Sequence, residues 1–183
     1  WFVRLVFGPF KPRRPILGVV FAGEVVGTGV AATKYKKGDK LFGWTSLMKL
    51  GGHAEYVALP ETGAFAPIPA AMSYTDAAAI PFGFGTAFSF LRKAQVAQGQ
   101  RVLIYGASGA VGSAAVQLAK TMGAQVTGVC STRNVELVRS FGANEVLDYT
   151  KDDILAKRDQ YDVVFETVGK LPFKESLALV KQN

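Results

Sequence analysis

Three closely spaced glycines follow an apolar run near the middle of the chain. The segment is Val102-Leu-Ile-Tyr-Gly-Ala-Ser-Gly-Ala-Val-Gly112, and an alanine-rich helical pattern follows it. Dinucleotide binding at a helix N-terminus needs a tight turn, a glycine that lets the backbone approach a pyrophosphate, and a small residue where helix and strand touch. The flanking strand and helix patterns favour this interpretation over a purely structural turn, although alanine replaces the first glycine of the strict motif. The predicted cofactor contacts in the turn are Ala107, Ser108, Gly109, Ala110, Val111 and Gly112.

Two other chemistries would use the same residues, and the spacing argues against both. A nucleophile elbow requires G-x-S-x-G, but Ala110 replaces the glycine after Ser108, and the single histidine, His53, precedes this serine instead of following it. A phosphate-binding P-loop requires Gly-Lys-Ser or Gly-Lys-Thr, but the pair Gly169-Lys170 is followed by leucine. A serine hydrolase and a P-loop nucleotidase are therefore not favoured.

The end of the next predicted strand bears on the choice of dinucleotide. NAD sites place Asp or Glu about 20 residues after the glycine turn, where it binds the ribose hydroxyls and would repel a 2′-phosphate. No acidic residue occurs from Ser113 to Val135, and the strand ends in Cys130-Ser-Thr-Arg133. We therefore predict NADP(H), with Ser131, Thr132 and Arg133 on the 2′-phosphate and Lys120 adding positive charge. The alternative is that Arg133 is only a solvated residue.

Composition excludes several classes of function. Among 183 residues there is one cysteine and one histidine, so neither a disulfide framework nor the usual nitrogen and sulfur ligands of zinc can be assembled. The uncharged run at residues 77–91 contains one proline and two glycines and is too short to span a bilayer. No secretory signal pattern is present. We expect a cytoplasmic protein without a bound metal and without a membrane partner.

The net charge of +7 resides in the first 50 residues, which carry nine Lys or Arg residues against two acidic ones. A basic surface of this kind can attract polyanions. The region lacks the interleaved aromatic residues of RNA-binding modules and the ligand spacing of zinc fingers. Nucleic-acid binding is therefore not favoured, and polyanion binding stays as an alternative.

The pattern of elements changes along the chain. Short apolar runs separated by Gly and Pro predict strands at residues 16–23, 24–28, 40–44, 53–59 and 64–68. Residues 73–98 predict two connecting helices, the second at 85–94. Strands at 101–105, 125–130, 145–148 and 161–166 then alternate with helices at 109–122, 134–141 and 172–180. This predicts an α/β protein with a β-rich domain at 1–72 and a parallel-sheet domain at 99–183.

The two ends of the sequence predict a fragment of a longer protein. The chain starts at Trp1 without methionine, and Asn183 follows a helical pattern that has no cap. A parallel sheet that stopped there would expose a hydrophobic edge, so we expect the isolated chain either to be unstable or to pair with another molecule, for example as a homo-oligomer.

Taken together, these motifs resemble the medium-chain dehydrogenase/reductases, and within them the zinc-independent quinone oxidoreductase group. The likeness covers nearly the whole sequence. Besides the glycine turn it rests on Ile16-Leu-Gly-Val-Val-Phe-Ala-Gly-Glu-Val-Val-Gly-Thr-Gly29, Lys37-Gly-Asp-Lys-Leu-Phe-Gly43, Gly51-Gly-His-Ala-Glu-Tyr-Val57, Phe141-Gly-Ala-Asn-Glu-Val-Leu-Asp-Tyr149 and Tyr161-Asp-Val-Val-Phe-Glu-Thr-Val-Gly169. The resemblance implies a partial GroES-like catalytic domain followed by a partial Rossmann cofactor domain, with the active site in the cleft between them.

The chain differs from the zinc-dependent members of that superfamily at positions where those enzymes have zinc ligands. Where those enzymes have Gly-His-Glu, this chain has Gly18-Val-Val, and Phe82 stands in place of a cysteine ligand. The resemblance also implies that Thr86 lies behind the nicotinamide and that Val168 and Gly169 run under the cofactor. The alternative for Thr86 is a helix hydroxyl bonded to its own backbone. The alternative for Val168 and Gly169 is an ordinary strand-ending turn.

Hydride transfer from NADPH to a quinone or an α,β-unsaturated carbonyl is the activity that remains without a metal. No catalytic proton donor is identified, since His53 and Tyr56 are better explained as structural residues. A non-catalytic NADPH sensor is the second hypothesis, and the polyanion-binding protein is the third.

Overall fold

The computed structural model describes residues 8, 10–11, 13–46 and 49–182. The chain divides between Pro81 and Phe82 into two compact units. This division falls inside residues 73–98, the segment expected to connect the two domains. Among the described residues, no helix combines the length and the apolarity that crossing a bilayer needs.

The first unit contains a three-stranded antiparallel sheet. Its strands are β1 (Val20–Glu24), β2 (Lys40–Trp44) and β3 (Ala64–Pro67), in the order β1-β2-β3. Gly43 on β2 has no side chain because a Cβ there would overlap Phe65 on β3. The Phe65 ring contacts Phe21 at 5.9 Å and Tyr35 at 5.3 Å between centroids. The aromatic contacts therefore fix the register of this sheet.

Two of the strands expected in this unit are wrong. Glu24 ends β1, and residues 25–28 form no strand. Residues 53–59 alternate as a strand should, but they also form none. The His53 N–H donates to the Leu17 carbonyl at 2.9 Å. Among the described residues, no backbone hydrogen bonds join residues 54–59 to a neighbouring strand. Periodicity alone cannot supply the partner strand that a β-strand requires.

A single helix replaces the two helices expected in the connecting segment. Helix α1 (Tyr74–Lys93) begins with a side-chain cap, in which Ser73 Oγ accepts from the Asp76 N–H at 3.1 Å. It continues through Pro81. Ala87 and Leu91 are completely buried, and a Cβ added at Gly83 would lie 2.6 Å from the Ala110 carbonyl oxygen. Close packing of the second half of α1 thus outweighs the local penalty of proline and glycine.

The second unit is a parallel sheet whose strands alternate with helices. The elements in chain order are β4 (Arg101–Tyr105), α2 (Ala110–Thr121), β5 (Gln125–Cys130), α3 (Val135–Ser140), β6 (Glu145–Asp148), β7 (Val163–Glu166) and α4 (Phe173–Leu179). The strand order is β6-β5-β4-β7, and every pair is parallel. The α/β architecture expected for this half is confirmed.

Side chains cover both faces of this sheet. Val102 and Ile104 point into an apolar cluster with Val116 on α2, whereas Leu103 points into a second cluster with Leu179 on α4. These three residues, in the middle of β4, are 0% exposed. Strand β4 is therefore central, which explains its unbroken apolar sequence.

Candidate functional site

The carboxyl ends of the parallel strands enclose a cavity of about 660 Å³. Strand β4 lies between β5 and β7, so the chain reverses its direction of winding at β4. Cofactor pockets form at such a switch point, because loops from neighbouring strands diverge there. Seven of the residues predicted to contact the cofactor line this cavity: Ser108, Gly109, Ala110, Val111, Ser131, Arg133 and Val168.

The glycine turn can pack closely against its neighbours because its glycines have no side chains. Gly106 has φ +83°, and a Cβ there would overlap Val168. A Cβ at Gly112 would overlap the Gly106 carbonyl oxygen. The N–H groups of Gly106 and Ala107 both donate to the Val129 carbonyl, at 3.0 and 2.9 Å. Ala107, which is completely buried, and Gly112 were predicted to contact the cofactor but do not line the cavity; they support the turn from beneath.

Helix α2 begins at this cavity without a side-chain cap. Its N-cap is Gly109, and its first turn contains no acidic residue. The first N–H groups of a helix have no intrahelical carbonyl to bind, and the helix dipole makes this end positive. Ala110 and Val111 both line the cavity. The arrangement can therefore bind an anion such as a diphosphate.

Asn134 connects the glycine turn with the end of β5. Its side-chain amide donates to Ser108 Oγ at 3.0 Å and to Ser131 Oγ at 3.4 Å. Asn134 also lines the cavity and was not expected from the sequence. One side chain thus holds the hydroxyls of Ser108 and Ser131, which follow the neighbouring strands β4 and β5.

Thr132 does not line the cavity. Its hydroxyl donates to Asp148 at the end of β6, and the Thr150 N–H also donates to this carboxylate at 3.0 Å. The hydrogen bond from Thr132 is the main cause that lowers the pKa of Asp148, and burial opposes it. No acidic residue follows β5 directly, but the neighbouring strand β6 ends in Asp148, whose carboxylate is already hydrogen-bonded.

Three other expected contacts lie outside the cavity lining. Lys120 is in the last turn of α2, at the end opposite to the cavity, and its Nζ donates to Asn144 Oδ1 at 2.9 Å. Thr86 is half-buried on α1, one turn beyond Phe82, which does line the cavity. Gly169 is flanked by the lining residues Val168 and Lys170, and its N–H donates to Glu166.

Two tyrosines form part of the wall. Tyr105 ends β4, Tyr149 follows β6, and their rings stack with centroids 6.3 Å apart. Burial raises the pKa of Tyr105, and the neighbouring Tyr149 adds to this effect. Neither tyrosine was expected from the sequence, although a position at or just after the end of a parallel strand is the signal that could have identified them. The other lining residues that were not predicted to contact the cofactor are Phe82, Gly106, Cys130, Thr167 and Lys170.

Cys130 faces the same cavity but is nearly inaccessible. It is 1% exposed, and burial raises the pKa of its thiol. The thiol is therefore protonated near neutral pH and is not a nucleophile there. Among the described residues, His, Cys, Asp and Glu form no group of three that could hold a metal ion.

Known proteins resemble this chain along most of its length. A family profile described as zinc-binding dehydrogenase matches residues 110–183. A trans-enoyl reductase of Aspergillus terreus is 38% identical over 178 residues, which cover 92% of this chain and 49% of that protein. An NADPH-dependent alkenal/one oxidoreductase of Arabidopsis thaliana is 36% identical over 174 residues, with 88% and 45% covered.

A solved structure gives the same result. The quinone oxidoreductase from Coxiella burnetii superimposes with a TM-score of 0.83 at 33% identity, covering 92% of this chain and 53% of that one. The chain spans about half the length of the curated relatives it matches. The parallel sheet, the glycine turn at its switch point and these similarities lead to one assignment. The chain belongs to the medium-chain dehydrogenase/reductase superfamily, in its quinone oxidoreductase-like group.

Proposed function

We propose that this protein transfers a hydride from NADPH to a quinone or an α,β-unsaturated carbonyl compound. The observation that carries the proposal is the cavity at the switch point, where an uncapped helix N-terminus meets the glycine turn. The names of its relatives support the substrate class, since they include a trans-enoyl reductase, an alkenal/one oxidoreductase and a quinone oxidoreductase.

The residues of the cavity fit a dinucleotide. Backbone N–H groups at Ala110 and Val111 would hold the diphosphate, and Asn134 would keep Ser108 and Ser131 in place beside it. The absent side chains at Gly106 and Gly112 keep the turn compact enough for close approach. When bound, the cofactor supplies the hydride, and the protein orients the two reactants.

Charge on the cavity wall supports NADPH over NADH. Arg133 is exposed and lines the cavity, and among the described residues no carboxylate pairs with it. Lys170 is a second exposed cation on the wall. Asp148 accepts hydrogen bonds from Thr132 and Thr150, so its charge is already partly compensated. A guanidinium is well shaped to bind a 2′-phosphate.

The test is NADPH oxidation by the purified protein with a panel of simple quinones and enones, with and without a chelator. We expect turnover that the chelator does not change, and tighter binding of NADPH than of NADH in titrations. NADPH binding without oxidation of any acceptor would favour a sensor instead. Equal affinity for both nucleotides would overturn the assignment of NADPH, and loss of turnover with chelator would overturn metal-free transfer.

A further inference from the structure

The carboxylate of Glu166, at the end of β7, accepts hydrogen bonds from three successive backbone N–H groups. The donors are Val168 at 3.0 Å, Gly169 at 2.6 Å and Lys170 at 3.1 Å. An ionised carboxylate only accepts hydrogen bonds, and bonds to it are stronger than those to a neutral oxygen. Resting on the proposed function, we propose that Glu166 is a positioning residue, which fixes the 167–170 loop in the shape that seats the cofactor.

The loop that Glu166 holds is part of the cavity wall. Thr167, Val168 and Lys170 all line the cavity. Val168 packs against Gly106, where a Cβ would overlap it. The Thr167 hydroxyl donates to the Tyr105 carbonyl at 2.8 Å. Thr167 thus fastens the start of the loop to β4, and Glu166 determines the shape of the remainder.

The backbone of this loop needs such an anchor. Gly169 has φ +80°, which L residues with a side chain adopt at a cost. A Cβ added there would meet nothing within 4 Å, so space does not enforce the conformation. Gly169 is exposed, and its N–H donates to Glu166 at 2.6 Å, so this hydrogen bond helps to hold its position.

Both the charge and the length of the Glu166 side chain should affect these hydrogen bonds. One carboxylate oxygen of Glu166 accepts from Val168 and Lys170, and the other accepts from Gly169. In Glu166→Gln, an amide NH₂ replaces one oxygen and faces an N–H donor, so at least one bond is lost. Glu166→Asp keeps the charge and can still bind the N–H two residues on, as aspartate does in turns.

The experiment measures NADPH affinity by titration and amide exchange of the cofactor-free protein. In Glu166→Gln we expect NADPH to bind about tenfold more weakly, the size of effect that losing a charge-assisted hydrogen bond produces, and the 168–170 amides to exchange faster. Glu166→Asp should retain part of the wild-type NADPH affinity and part of the protection of the 168–170 amides. The matched control is Glu136→Gln, which removes the same charge from α3, where the side chain is 84% exposed. It should change neither the NADPH affinity nor the exchange of the 168–170 amides.

Unchanged NADPH affinity in Glu166→Gln would overturn the inference, even if the 168–170 amides exchange faster. If Glu166→Gln does not fold, Gly169→Ala strains the same loop without touching the carboxylate and should weaken NADPH binding likewise; unchanged affinity there counts against the inference. Failure of the wild-type protein to bind NADPH would instead reject the proposed function, and the two failures are therefore distinguishable.

Discussion

At the scale of single residues, we propose that discrimination between NADPH and NADH depends on the side chain of Arg133. It follows Ser131 by two positions, and both line the cavity. Thr132 between them points elsewhere, to Asp148. Asn134, the next residue, lines the cavity as well, so Thr132 is the exception among the four residues that follow β5.

Arg133→Ala should abolish the preference for the phosphorylated nucleotide. Because the guanidinium would bind only the 2′-phosphate, we expect NADPH to bind about 10- to 100-fold more weakly, as for loss of a charge-assisted contact, with little change for NADH. Titration with both nucleotides measures this. Arg139→Ala is the control, since Arg139 lies on α3 and pairs with Glu136 at 2.7 Å. Equal weakening of both nucleotides would show that Arg133 does not read the phosphate.

At the scale of elements, the contact between β4 and α2 determines the shape of the site. The two elements are joined by a turn of four residues. The close approach of Gly112 to the Gly106 carbonyl sets the angle at which the helix leaves the sheet. The same angle aims the N-terminus of the helix into the cavity. A glycine at this position is thus required by packing, and binding depends on it indirectly.

Gly112→Ala should destabilise the protein and weaken NADPH binding together. The added methyl group would overlap the Gly106 carbonyl, and overpacking of this kind costs about 1–3 kcal/mol of unfolding free energy. Gly85→Ala is the matched control, because Gly85 lies in α1 with nothing within 4 Å of an added Cβ. Denaturant unfolding should show Gly85→Ala to be neutral or stabilised by about 0.5–1 kcal/mol. Equal stability of both variants would contradict the packing argument.

At the scale of the whole molecule, acidic side chains join distant parts of the second unit. Asp162 accepts from the Arg101 N–H at 2.7 Å and from Lys181 Nζ at 2.6 Å. Its pKa is lowered, first by the hydrogen bond from Lys181. Asp148 similarly connects the segments after β5 and β6, and its pKa is also lowered. Both carboxylates therefore stabilise the fold in their charged form.

Acid should weaken the fold through these two groups. A carboxylate whose pKa is depressed in the folded state adds stability above its unfolded pKa of about 3.9 and loses it as the pH falls through the folded value. We expect the melting temperature to be flat above about pH 5 and to fall below it. Asp162→Asn should lower the melting temperature at neutral pH and reduce the loss in acid. An unaltered slope in this variant would exclude Asp162 as a source of the acid sensitivity.

Local patterns predicted much of the second unit. The bounds of β4, β5 and β6 are as expected, and α2 differs by one residue at each end. Here the apolar strand, the glycine turn and the helical pattern are neighbours in sequence, so short-range sterics and hydrophobic periodicity suffice. In the first unit, residues 53–59 alternate in the same way but form no strand. A strand depends on a partner that lies elsewhere in the chain.

The sequence by itself determined the strand–turn–helix unit, because its conformation depends on residues a few positions apart. Only the tertiary structure decided which side chains meet around it. The contact of Thr167 with Tyr105 joins residues 62 positions apart, and that of Asn134 with Ser108 joins residues 26 apart. Strand order sets these contacts, and it follows from packing both faces of the sheet rather than from any local motif. The wall of the cavity is therefore a property of the fold, and its glycine turn is a property of the sequence.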